Sequence, residues 1–340
     1  MRNYLALLIF VLVVSACDEN VDSINPISSL EIIQTHKFKT EFEHNAFTDI
    51  IHFKEKLFVC HRASDKHVFG ENGKIIVHQS TDSGASWKQI ACFEQNGVDL
   101  RDPKFVLNEQ GILYLYIHGS VYQNRELLGF LDYRYTWNES TNNWGPKEKV
   151  SLNNSETYNE GWPWRINWDQ DTAYVFGYGS NLFDLYFSLD GLNFSKANLN
   201  IDLEELPNEV TIRLHNGSYY ALGRVGSGDA VLLTSNNPLN KWELVDYIPW
   251  VNIGGPDFLF YEHNNMIIGG RMWSDDKQEQ FLTLANYDLQ TKSFRLLIDL
   301  PGKRDLGYPG LNIIDQNLVV SYYATLESTT NVFFVELNLN

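Results

Sequence analysis

From about Phe38 to the end of the chain, apolar residues come in short runs rich in Val, Ile, Tyr and Phe, each closed by a cluster of Asn, Gly or Asp. No long stretch keeps a helical period. Ile112 to Ile117 follows the turn Asn108-Glu109-Gln110-Gly111, Ser218 to Leu222 follows His215-Asn216-Gly217, and Leu318 to Tyr323 follows Asp315-Gln316-Asn317. Each is a strand, a tight polar turn and a second strand. The unit restarts near Asp49, Pro103, Arg165, Glu209, Pro256 and Tyr308, at intervals of roughly 45 to 60 residues, the period of a four-stranded propeller blade. The pattern predicts an all-β chain folded as a six-bladed β-propeller of four-stranded antiparallel blades, with the segment near Lys37 to Glu41 completing the last one.

The first residues follow another pattern. Met1-Arg2-Asn3 is a short basic start, Tyr4 to Val14 is apolar but too short to span a bilayer, and Val14-Ser15-Ala16-Cys17 ends in small residues before a cysteine. This resembles a bacterial lipoprotein signal with its lipobox. The resemblance implies residues 1–16 as a cleaved signal, lipidation of Cys17, a tether over residues 17–35 whose polar leader runs to about Ser29, and a propeller domain over residues 36–340. The protein would then sit outside the cytoplasm, anchored by lipid to a bacterial membrane. An ordinary secretory signal containing Cys17 is the alternative.

A second signal is in phase with the blades. Ser80 to Trp87 has the form S-x-D-x-G-x-x-W, Ser188 to Phe194 is a shorter relative, and Trp137 to Trp144, Ser235 to Trp242 and Tyr287 to Phe294 are decayed versions. The chemistry suits a hairpin, because Ser and Asp oxygens accept backbone N–H bonds, Gly supplies a positive φ and the aromatic folds back on the blade. This resembles the Asp-box, or BNR repeat, of sialidase-like propellers, where its role is structural.

In a propeller the inner strands line the channel, so the residues at their starts are the candidates for chemistry. The stretch Asn208 to Arg224 resembles the sialidase segment in which a catalytic glutamate precedes a turn and a substrate-binding arginine. Tyr308 to Tyr323 is similar to the segment that carries the sialidase tyrosine nucleophile. Together with the Asp-boxes this covers most of residues 40–336, and the chain is identified as a divergent member of the sialidase-like superfamily. The resemblance implies an exo-glycosidase for a terminal acidic sugar, in which Tyr308 attacks, Glu209 takes its proton, and Arg224 and Arg271 hold the sugar carboxylate. The family's opening Phe/Tyr-Arg-Ile-Pro motif is replaced by Ala46-Phe47-Thr48-Asp49-Ile50, so one arginine of the carboxylate clamp is missing. Arg62 or Arg165 is a candidate to replace it. Where the family carries its acid/base aspartate this chain has Cys60 to His67, which offers Asp65 or His67. Arg101, in Arg101-Asp102-Pro103, is a further substrate-binding candidate, against the plainer reading of that triplet as a structural pair. Nine side chains, Arg62, Asp65, His67, Arg101, Arg165, Glu209, Arg224, Arg271 and Tyr308, are expected to converge on one face.

Charge narrows the partners. The 340 residues carry 43 acidic and 26 basic side chains, a net charge of −17, with no basic run to follow a phosphate backbone, so nucleic acid is excluded. A content of 44% hydrophobic residues excludes a disordered chain. No cofactor is called for, and no metal is expected, since His44, His61 and His67 match no compact ligand spacing. A monomer acting on a glycan is the expectation. Trp162, Trp164 and Trp168 offer a sugar-stacking platform or simply a core face, and Arg213 reads as an outward charge. Cys60 and Cys92 are either bonded or two free thiols. Two rivals to hydrolysis remain: a polysaccharide lyase on the same scaffold, in which Tyr308 or His67 abstracts the proton α to a uronate carboxylate, and a glycan-binding lipoprotein without catalysis.

Overall fold

A computed structural model describes residues 29–339 apart from 70–72, 180–182, 200, 263 and 275–277. The lipobox and Cys17 lie outside the described residues. Every regular element among those described is a β-strand. The strands pair as six consecutive antiparallel groups, the blades. Their inner strands are His44–Phe53, Asp99–Leu107, the broken pair Trp162–Pro163 and Asn167–Asp169, Asn208–His215, Gly254–Tyr261 and Gly307–Ile314. Each begins slightly upstream of the position its sequence period marks.

The third inner strand breaks where Pro163, which has no N–H to give a ladder, is followed by Trp164 to Ile166 outside either strand. The ring closes with Glu31–Lys37 paired antiparallel to Thr329–Asn338. The closing strand was expected at Lys37 to Glu41, so residues 31–35, read from sequence as tether, belong to the last blade. Their alternation of apolar and polar side chains is weak because the strand lies at the rim, with most of it exposed.

Apolar side chains fill the wedges between blades. One cluster joins the first blade to the second through Phe58, Val77, Leu115 and Trp137, and another joins the fourth to the fifth through Leu232, Trp250, Ile268 and Tyr287. Comparable clusters occupy the remaining interfaces. The Asp-box turns lie where the third strand of a blade meets its outer strand. At Ser80 the hydroxyl accepts the Gly84 N–H at 2.9 Å, Asp82 accepts the Ser86 N–H at 2.9 Å, and the Trp87 indole donates to the Gly84 carbonyl at 3.0 Å. Ser86 and Ser80 hold the Asp82 carboxyl down to about 2. The first two bonds have counterparts at Ser188 and Asp190, which accept the Gly191 and Asn193 N–H groups at 2.9 and 2.8 Å. Cys60 and Cys92 are both free, the first buried and the second exposed.

The first blade buries a histidine pair that sequence periodicity does not single out. His61 and His78 stack with their planes 8° apart, and their Nε2 atoms are 3.3 Å from each other. Burial pushes His61 down to about 4 and His78 to about 3. The unfolded chain takes up protons near pH 6.5 while the folded one does not, so this stability is complete above pH 6.5 and falls as pH drops toward 4. For His61 alone the loss amounts to about 3 kcal/mol. Thermal melts at pH 7 and pH 4.5 are expected to differ less in His61→Leu than in the unmodified chain; an unchanged gap would refute the assignment.

Candidate active site

The site is built by one local device used repeatedly. In five inner strands the register slips just after the strand start, between Ala46 and Asp49, Arg101 and Lys104, Asn208 and Thr211, Gly254 and Asp257, and Gly307 and Gly310. Within each slip one residue takes a positive φ: Phe47, Asp102, Glu209, Gly255 and Tyr308, at 58°, 44°, 50°, 59° and 44°. Such a bulge kinks the strand and re-aims a side chain that regular pleating would direct elsewhere. Four of these five residues are not glycine, so the ring bears backbone strain around one channel mouth. A proline follows three of them, at Pro103, Pro256 and Pro309.

Beside this ring stands a second one, from the strand next in each blade. Cross-strand pairing sets Arg62 opposite Ala46, His118 opposite Arg101, Tyr178 opposite Trp162, Arg224 opposite Asn208, Arg271 opposite Gly254 and Tyr323 opposite Gly307. Arg224 and Arg271 therefore hold equivalent places in adjoining blades.

The two rings meet at Tyr308 and Glu209. The Tyr308 hydroxyl donates to Glu209 Oε1 at 2.7 Å, Arg224 Nη1 donates to the same oxygen at 2.9 Å, and the Gly255 N–H donates to Oε2 at 2.7 Å. Glu209 is 1% exposed, so its carboxyl oxygens are met by these three donors rather than by bulk water. Asn252 takes the Arg224 Nε–H at 2.8 Å and fixes the guanidinium. Burial, then the Glu209 charge, pushes the Tyr308 phenol well above its ordinary range. A phenol so disfavoured as phenolate keeps its proton at neutral pH. The Arg271 guanidinium lies 5.9 Å from the Tyr308 ring centroid, and its buried Nε has no hydrogen-bond partner among the described residues. Gly255 is required here: a Cβ on it would come within 1.9 Å of the Tyr308 ring, and at Gly254 a Cβ would meet the Arg271 guanidinium at 2.7 Å.

The aromatic surround is shared among blades. Trp164 and Phe47 meet Tyr308 edge to face at centroid distances of 5.7 and 5.4 Å, and Tyr323 stacks on it at 6.0 Å. Tyr178 lies 4.4 Å from Trp162 and 5.2 Å from Trp164. The tryptophans do not form one platform. Trp162 and Trp164 are on the Tyr308 side, whereas Trp168 lines a 170 Å³ cavity with Arg165, Arg213 and Leu107 at the other ends of the inner strands.

The remaining candidates divide. Arg165 does not join the Tyr308 cluster as a free cation: it is buried on the channel axis, where Nη1 is 2.8 Å from Asp49 and 3.4 Å from Asp257 and Nη2 donates to the Pro309 carbonyl. Arg213, read as an outward charge, instead reaches Asp257 at 2.6 Å. Arg62 is fully buried, with Nε on Asp99 at 2.7 Å and Nη1 on the Lys66 carbonyl. Arg101 donates to Asp102 at 3.1 Å and lies 4.8 Å over the Phe47 ring. Asp65 stands on the loop after Lys56–Ser64, its side chain 45% exposed and 3.7 Å from Lys66. His67, on the same loop, meets the Phe47 ring at 5.1 Å and the Asp305 carboxylate at 3.0 Å. Sequence reading gave little weight to Asp102 and none to Asp305. The recurring bulge residue followed by proline is a signal that marks Asp102, and nothing local marks Asp305.

No protein-family model matches this sequence, and no curated protein matches it. Solved structures do match it in shape. Trypanosoma rangeli sialidase in complex with the inhibitor DANA superposes with a TM-score of 0.66 over 92% of this chain at 13% identity, and the same enzyme in complex with sialic acid gives 0.62 over 94% at 11%. This chain spans 58% of the length of those proteins. The NanB sialidase from Streptococcus pneumoniae matches at 0.63 and 10% identity, covering 94% of this chain and 72% of its own. At these identities the likeness concerns the fold, and by fold this chain is a sialidase-like β-propeller.

Proposed function

We propose that this protein is an exo-glycosidase of the sialidase-like type that removes a terminal acidic sugar from a glycan, as a monomer held outside the cytoplasm by a lipid on Cys17. The observation that carries the reading is the Tyr308 hydroxyl 2.7 Å from Glu209, beside Arg224 and Arg271. A sugar with a carboxylate on its anomeric carbon repels an anionic nucleophile, so a neutral tyrosine with a buried base is the group that suits it. In the first step the Tyr308 oxygen bonds to the anomeric carbon, its proton passes to Glu209, and the leaving oxygen departs with a proton from Asp65 or His67. In the second, water gives a proton back to that same Asp65 or His67 as its oxygen bonds to the anomeric carbon and displaces Tyr308, which recovers its proton from Glu209. Arg224 and Arg271 supply the two guanidinium groups for the carboxylate; Arg62 and Arg101 support them from behind Phe47, and Arg165 maintains the channel beneath. The trypanosomal sialidase of the same fold has been solved in complex with sialic acid, which supports an acidic ligand for this site.

The absence of the motif arginine from Ala46-Phe47-Thr48-Asp49-Ile50 favours a second reading, in which the carboxylate is held less tightly and the sugar differs from sialic acid. A panel of fluorogenic sialosides and uronate-terminated oligosaccharides decides between the readings. A reducing sugar without ultraviolet absorbance is expected; an unsaturated, absorbing product would indicate a lyase, and binding without product a lectin-like role. Arg271→Ala is expected to raise KM on the best acidic substrate by about 10- to 100-fold, as loss of one charge-assisted contact would. An unchanged KM would remove the carboxylate clamp from the proposal.

A further inference from the structure

Three residues remote in sequence, His44, His67 and Asp305, meet beside the site, and of them only His67 has been given a role so far. Asp305 accepts from His44 Nε2 at 2.8 Å and from His67 Nδ1 at 3.0 Å. His44 is 6% exposed, whereas the His67 side chain is 40% exposed, so one imidazole is fixed in the protein and the other reaches solvent. Asp305 lies three residues before Tyr308 with φ at 45°, and its backbone carbonyl is held by the Thr325 hydroxyl at 3.4 Å. Burial works against the Asp305 charge, yet the bonds from His44 and His67 hold its carboxyl well below the usual carboxylate range. A carboxylate anchored by backbone and by one buried imidazole, with a second imidazole on its open side, is the arrangement that orients a proton-transfer histidine.

We infer that Asp305 and His44 are positioning residues that fix His67 with Nδ1–H toward Asp305 and Nε2 toward the substrate, making His67 rather than Asp65 the group that exchanges a proton with the leaving oxygen. This rests on the glycosidase reading above. As imidazolium, His67 gives its Nε2 proton to the glycosidic oxygen while that oxygen's bond to the anomeric carbon breaks. Neutral His67, still carrying Nδ1–H, then takes a proton from the water that displaces Tyr308, and the cycle closes with no other reactant. Asp65 instead accepts from the Ser64 hydroxyl at 3.2 Å and lies 3.7 Å from Lys66, with its side chain 45% exposed.

The test uses the full chain labelled with 15N-histidine. Long-range proton–nitrogen spectra are expected to show neutral His67 as the Nδ1–H tautomer, and Asp305→Asn is expected to shift it toward a mixture. On a sialoside that the unmodified protein hydrolyses, Asp305→Asn is expected to lower kcat roughly 10²-fold with KM unchanged, and Asp305→Glu to recover part of that loss. A His67 tautomer with Nε2–H, or an Asp305→Asn enzyme of full kcat, would overturn the inference. So would stoichiometric zinc uptake that is lost in Asp305→Asn, because the three side chains would then be a metal centre. If the unmodified protein hydrolyses no acidic glycoside, the glycosidase reading fails and His67 loses its assigned step; the tautomer then speaks to the positioning alone.

Discussion

Under the proposed tyrosine mechanism, Tyr308→Phe should leave a folded protein that still binds the proposed acidic substrate and turns it over at least about 10⁴-fold more slowly, because the oxygen proposed to attack is gone while the neighbouring side chains stay. The ring itself is packed, edge to face against Phe47 and Trp164 and parallel to Tyr323, and phenylalanine keeps those contacts. Glu209 retains the Arg224 and Gly255 donors. Melting temperature and KM are therefore expected to stay close to those of the unmodified protein while kcat collapses. Glu209→Gln should slow turnover by about 10²–10⁴-fold, the range for removing a general base. If Tyr308→Phe is active and His67→Ala is dead, the histidine carries the chemistry and a tyrosine nucleophile must be abandoned.

Arg165→Met should cost stability rather than catalytic chemistry, on the order of 3–5 kcal/mol. Asp49 is 2% and Asp257 0% exposed, and Arg165 stands between them with Nη1 within 3.4 Å of both. Methionine matches the side-chain length but leaves two buried carboxylates with less compensation. Asp257 keeps Arg213 and the N–H of Leu311, whereas Asp49 keeps the N–H of Phe105. The uncompensated charge is thus mainly Asp49, and adding Asp49→Asn should restore part of the loss. Urea unfolding reads both changes. A loss below about 1 kcal/mol would mean that the axial carboxylates are satisfied without Arg165.

The fold was legible in the sequence because a propeller is local. Each blade is a meander whose strands pair with their chain neighbours, so the apolar runs, the Asn/Gly/Asp turns and the Asp-box at Ser80 to Trp87 state it within some fifty residues, as the period predicts. The closing strand at Glu31–Lys37 was misplaced downstream because it pairs with Thr329–Asn338, at the far end of the chain, and its rim position imposes little pattern of its own. The location of Tyr308 and Glu209 at strand starts was likewise readable, each beside local motif residues. What only the tertiary structure decided is which way the side chains point. Side chains in a strand alternate between faces, and a one-residue bulge reverses that alternation, so no spacing could tell that Phe47 and Asp102 share a ring with Glu209 and Tyr308 while Arg165 turns into the axis. Nor could spacing bring Asp305 to His67, 238 residues away, because that contact exists only once the last blade has closed against the first.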